Sequence, residues 1–109
     1  MTNSKSETFN YALSIAKDIE NIYDGKEVDG VSDIYDYITE NVLDVEYTLD
    51  SNKELIGVTL YVTLGGPTCW IDTRRQEVVC HWGSDSDSVC ICSDVCDYIN
   101  DFYRDMFDC

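Results

Sequence analysis

A chain of 109 residues with 22 Asp and Glu against seven Lys and Arg carries a formal charge of -15 at neutral pH. A small domain needs a net charge of only about 2 to 8 for solubility, and the excess repels itself, so acidity on this scale points to a basic partner surface. The same sign works against direct binding to nucleic acid or to an anionic membrane, and 44% apolar residues with eight Tyr, three Phe and two Trp exclude a disordered tail.

The length fits one domain, residues 1–109. No apolar run approaches the roughly 18 residues of a membrane span, and the opening MTNSKSETFNYALS lacks the apolar segment of a secretory leader. An intracellular location is therefore expected. Six cysteines are then expected to be mostly free thiols.

From Glu7 to about Tyr23, the residues Phe9, Ala12, Ala16, Ile19 and Tyr23 repeat at three and four, which predicts a helix with one apolar face. DGKEVDG, Asp24 to Gly30, breaks it. A second helix is predicted from about Ser32 to Val42, with Val31, Ile34, Ile38 and Val42 inward. Asp33, Asp36 and Glu40 form its acidic stripe, continued by Asp44 if the helix reaches it.

At Val45 the period becomes two. Val45, Tyr47 and Leu49, and after the turn SNKE, Ile56, Val58, Leu60, Val62 and Leu64, are the inward residues of a hairpin ended by Gly65-Gly66-Pro67. CWIDTRRQEVVCHW predicts a second hairpin. With Arg74 and Arg75 at its turn, Cys69 faces Cys80 and Ile71 faces Val78. One face then carries Cys69, Ile71, Val78, Cys80 and Trp82, and the other Trp70, Asp72, Glu77, Val79 and His81. GSDSDS reads as a loop, and VCIC as a fifth edge strand or an approach to the last helix. That helix starts with Ser93 as its cap and buries Val95, Ile99, Phe102 and Met106. The expected fold is α+β in two layers. It has two N-terminal helices, a four-stranded antiparallel sheet of two hairpins (five-stranded on the alternative reading), and one C-terminal helix.

Asp94, Asp97, Asp101, Asp105 and Asp108 follow one another at three, four, four and three. They would span about 21 Å of helix at roughly 1.5 Å per residue. Like charges one turn apart cost a helix a few tenths of a kcal/mol per pair, and Arg104 lies away from most of this stripe. Together with Asp33, Asp36 and Glu40, and with Asp85 and Asp87 of SDSDS, the stripe is a candidate surface for the Lys/Arg groove of a nucleic-acid enzyme. The plainer reading is a solvated polar face. Trp70 and Tyr61 form a candidate aromatic anchor on the open face of the sheet, against a reading as ordinary cross-strand packing.

Cys80, Cys90, Cys92 and Cys96 with His81 are the best metal candidates, but their spacing departs from zinc knuckles, and small buried hydrophobes or a Cys69–Cys80 bridge are the competing readings. SDSDS lacks the Gly and terminal Glu of a calcium loop. The chain has one histidine, no nucleophile elbow and no phosphate cradle, so neither an enzyme nor a cofactor is expected.

GGPTCWIDTRRQEVVCHWG followed by an acidic amphipathic helix resembles small acidic proteins carried by phages, plasmids and conjugative elements of Gram-positive bacteria, of the anti-CRISPR or antirestriction type. The resemblance covers roughly Val58 to Phe107. It rests on the glycine–proline turn, Trp70-Ile71-Asp72-Thr73 and Trp82-Gly83. It implies an inhibitor that binds an effector nuclease in the host bacterial cytoplasm and blocks its nucleic-acid or PAM-reading surface, and it attaches no role to any single residue. The alternative is a small structural or regulatory module that binds through the aromatic open face.

Overall fold

Alternating apolar residues in the middle of the chain make strands that bury a single face, and that face needs a cover. The computed structural model describes residues 4–107, with Asp108 and Cys109 outside it. Two helices, α1 (Ser4–Tyr23) and α2 (Ile34–Asn41), come first. Five strands follow: β1 (Asp44–Leu49), β2 (Leu55–Thr63), β3 (Thr68–Asp72), β4 (Glu77–Trp82) and β5 (Asp85–Cys90). Helix α3 (Ser93–Phe107) closes the chain. The strands form one antiparallel meander in the order β1-β2-β3-β4-β5, with α1 over β4 and β5 and α3 over β2. This is the two-layer α+β fold expected; its fifth strand is Asp85–Cys90, which starts ahead of the VCIC segment expected to supply it.

The second hairpin has the predicted register, Cys69 opposite Cys80 and Ile71 opposite Val78, and all four are fully buried. Cys69 and Cys80 form a disulfide, with Cα atoms 4.1 Å apart. For this pair the expectation of free thiols gives way to the cross-strand bridge, because the register holds the two residues face to face. Cys90, Cys92 and Cys96 are free.

Three expectations change in detail. GSDSDS is not a loop. Gly83, at φ +63°, opens a two-residue turn that sets Trp82 opposite Asp85, and β5 then alternates Asp85, Asp87 and Val89 against Ser86, Ser88 and Cys90. In β2 a register shift opposite Thr48 and Leu49 turns Leu55 rather than Ile56 into the core, and a second lies between Tyr61 and Thr63. Leu64 falls past the strand end and is exposed, as are Tyr47 and Leu49 of the edge strand β1.

The helices shift in phase as well. α1 buries Thr8, Ala12, Ala16, Ile19 and Ile22, so Phe9 and Tyr23 flank the buried face instead of lying on it. α2 stops at Asn41, so Asp44 belongs to β1 and does not prolong the stripe. Ser93 is the first helical residue of α3, one past the cap. Cys92 holds the cap position, its carbonyl accepting from Cys96 N–H and its own N–H donating to Glu20 Oε2 of α1 at 2.8 Å. That carboxylate stands at the positive end of the helix dipole. Phe102 is half-buried and Met106 exposed, while Tyr103 and Cys96 take the inner positions.

Thr73 docks α3 on the sheet. Its buried hydroxyl accepts from Val58 N–H at 2.9 Å and donates to Asn100 Oδ1 of α3 at 2.6 Å, while Thr73 N–H donates to Val58 O. Gly57, next to Val58, has no side chain because a Cβ there would stand 2.8 Å from Arg74 Cβ in the β3–β4 turn. Thr73→Val keeps the shape and strands an amide and an amide oxygen. Urea unfolding is expected to show a loss of about 1–3 kcal/mol. An unchanged midpoint would mean the hydroxyl has no part in docking α3.

Candidate interaction surface

α3 is amphipathic, and its outer side carries an acidic stripe beside the exposed Tyr98 and Met106. Asp94, Asp97, Asp101 and Asp105 are all exposed. Arg104 is closer to this stripe than its spacing suggests. It forms an ion pair with Asp101 at 2.7 Å and donates its other nitrogen to Leu55 O. Asp101 is thus partly neutralised, whereas Asp94 and Asp97 form no ion pair among the described residues. Lys53, Arg74 and Arg75 sit in the β1–β2 and β3–β4 turns, at the sheet end that Arg104 also reaches. Much of the positive charge therefore gathers at one end of the sheet, the end from which α3 starts, since Ile91 N–H donates to Gln76 O of the β3–β4 turn.

α2 supplies the second stripe. Asp33 caps the helix, its carboxylate accepting from Asp36 N–H at 2.8 Å, so it has a structural task as well as a charge. Asp36 and Glu40 are exposed. The two stripes do not fuse directly. Between them runs an aromatic ridge in which Tyr35 of α2 meets Phe102 of α3 edge-on at 5.8 Å, and Tyr23 of α1 meets Tyr98 of α3 at 5.8 Å. Tyr98 and Tyr35 remain 49% and 58% exposed, so the ridge is a solvent-facing strip of rings with carboxylates on both sides. Tyr23, Tyr98 and Asp33 line one shallow cleft, which gathers α1, α2 and α3. Sequence reasoning missed these tyrosines. The available signal was Tyr98, an aromatic four residues after Asp94 on the polar side of the helix.

The remaining candidates lie elsewhere. Asp85 and Asp87 are not part of this surface. They sit on the helix-facing side of β5, under α1, with β3 and β4 between them and β2, and Asp87 accepts a hydrogen bond from the buried hydroxyl of Thr8. Trp70 and Tyr61 pair across β3 and β2 on the opposite face of the sheet, ring centres 6.0 Å apart, with Val79 opposite Trp70. Tyr61 donates to Glu46 at 3.0 Å; partial burial and that neighbouring carboxylate raise its pKa. Asp108 lies outside the described residues. Other aspartates serve the backbone: Asp50 accepts from Asn52 and Glu54, and Asp72 from Arg74 and Arg75.

The metal candidates do not converge. Cys80 is disulfide-bonded, His81 is exposed on the other side of the sheet, and Cys96 is buried under α3. Among the described residues no cluster of His, Cys, Asp or Glu has metal-holding geometry. No described helix is long and apolar enough to cross a membrane. Comparison with protein-family models, curated proteins and solved structures gave no match.

Burial, with Asp97 and other neighbours adding to it, pushes the Cys96 thiol up to about 12, while Cys90 and Cys92 are exposed. At pH 8 native protein is expected to be alkylated at Cys90 and Cys92 and protected at Cys96 until it unfolds. Peptide mapping after a maleimide pulse checks this, and labelling of Cys96 at the rate of Cys90 would contradict the packing of α3.

Proposed function

We propose that the protein is an inhibitory binding partner of a nucleic-acid enzyme, first of all a CRISPR–Cas nuclease, and that it occupies the enzyme's basic groove in place of phosphates. The observation that carries this reading is the exposed acidic layer of α2 and α3, in which Asp94, Asp97, Asp33 and Asp36 flank Tyr98 and Tyr35. Asp94 to Asp105 sets four carboxylates along about 16 Å of helix at roughly 1.5 Å per residue. A DNA strand places a phosphate about every 3.4 Å along its axis, so the helix alone is a sparser polyanion. α2 adds the missing density from the side. Tyrosines at the centre supply what phosphates lack, rigid amphipathic contact area of the kind that forms hot spots, and the surrounding carboxylates steer encounter. Cas nucleases hold nucleic acid in positively charged channels and read the PAM with arginines, which makes them chemically apt targets. The resemblance of Gly65–Gly83 with its following acidic helix supports the same choice, and with it a site of action in the host bacterial cytoplasm.

A second reading, a regulatory module binding through Trp70 and Tyr61, is favoured by one observation, the pairing of these rings on the face that no helix covers. One experiment separates the two. Displacement of labelled target DNA from a guide-loaded nuclease is measured for wild type and for the combined variant Asp33→Asn, Asp36→Asn, Asp94→Asn and Asp97→Asn. Asn retains the cap at position 33. The acidic-surface reading expects displacement to weaken at least about tenfold, a loss of about 1.4 kcal/mol or more, and wild-type binding to weaken with salt. Undiminished displacement by the variant would overturn it, and a loss seen only in Trp70→Ala at any salt would favour the open face.

A further inference from the structure

Between α1, α2 and the turn that joins them lies a cavity of about 100 Å³, which shares only Glu40 with the acidic stripes. Val28 and Val31 exchange backbone hydrogen bonds around Asp29 and Gly30, both at positive φ, which makes an Asp-Gly turn and fixes Asp29 at the rim. Asp18 of α1 and Glu40 of α2 complete the acidic lining, with Ile22, Val28 and Val31 as apolar wall. None of the three carboxylates accepts a hydrogen bond or forms an ion pair among the described residues. Asp18 shows the consequence, since burial and the nearby Asp29 raise its pKa.

A second, independent observation points into the same space. Tyr37 is only 6% exposed, and its hydroxyl has no hydrogen-bond partner among the described residues. Tyr37 lines the cavity, and burial, with the charge of Asp18 adding to it, pushes its hydroxyl up to about 12, so the hydroxyl lies near a carboxylate of the same lining. Asn41 Nδ2 donates to Tyr37 O, which leaves the Asn41 side-chain oxygen as another acceptor at the lining. The groups that meet here are acceptors carried by three separate segments.

The carboxylates do not cluster as metal ligands do. An ion such as calcium needs its oxygens drawn in to about 2.3–2.6 Å. A wider cation with several donors suits acceptors that stand apart, and a planar guanidinium offers five N–H groups in one fork. The valine and isoleucine wall suits the alkyl stem that carries it. We propose that this cavity is a binding site for a single alkylguanidinium group, held by Asp18, Asp29 and Glu40 with the Tyr37 hydroxyl at its floor. It shares only Glu40 with the acidic stripes of the partner reading above, and it involves neither α3 nor the aromatic ridge. The group can be free or the side chain of an arginine.

The test is a titration of the full chain with ethylguanidinium chloride at constant ionic strength, followed by NMR of the Tyr37 ring and the amides of Asp18, Glu40 and Asn41. Saturable shifts at these positions are expected, with affinity at least about tenfold lower in Asp18→Asn and reduced in Tyr37→Phe. Glu40→Gln on the exposed rim gives the same comparison if Asp18→Asn does not fold. N-acetyl-arginine amide in a second arm is expected to reproduce the shifts if a protein arginine can be the source, and silence from it restricts the site to free guanidinium compounds. Linear shifts matched by sodium chloride, binding indifferent to both carboxylate variants, or equal affinity for butylammonium would each overturn the proposal.

Discussion

Burial of the sheet on one side only is the constraint from which the other features follow. Cys69, Ile71, Val78, Cys80, Val58 and Leu60 point toward the helices and are essentially inaccessible, while Trp70, Tyr61, Val79 and His81 point away and have no cover. All three helices must then share one layer, each with an apolar stripe down and a polar side up. In a chain this acidic, the upward sides of neighbouring helices are bound to bring negative charge together. The acidic layer is thus a result of topology as much as of composition.

The carboxylates divide into two populations. Asp33, Asp50, Asp72 and Glu20 accept backbone N–H groups at caps, turns and a helix end, where a short acidic side chain is physically useful regardless of any partner. Asp94 and Asp97 make no such bond among the described residues and stand exposed on α3. The second population is the one whose charge the local backbone does not use, and it stands on the outer side of a helix that starts beside the β3–β4 turn.

Strand periodicity made the hairpins readable from the sequence, down to the pairing of Cys69 with Cys80, because a period of two around a symmetric turn leaves one register. What was hidden had specific physical causes. SDSDS has poor strand propensity, yet a two-residue turn at Gly83 and Ser84 and a neighbouring strand recruit it into the sheet. The start of α3 is set by Glu20 from a helix more than 70 residues earlier, which no local pattern encodes. The acidic stripes were visible as i, i+3 and i+4 spacings. Their separation by Tyr35 and Phe102 was not, because it depends on how the helices rotate once packed.

The placement of Asp85 and Asp87 bears on how molecules of this protein avoid one another. β5 ends the meander, so its outer edge presents unpaired amide and carbonyl groups to any extended chain. Carboxylates turned inward from such a border make added strands unwelcome, since a newcomer continuing the layer would bury its own residues beside that charge. A sheet with one bare face thereby closes its flank against growth into aggregates, using the same residue type that elsewhere faces outward.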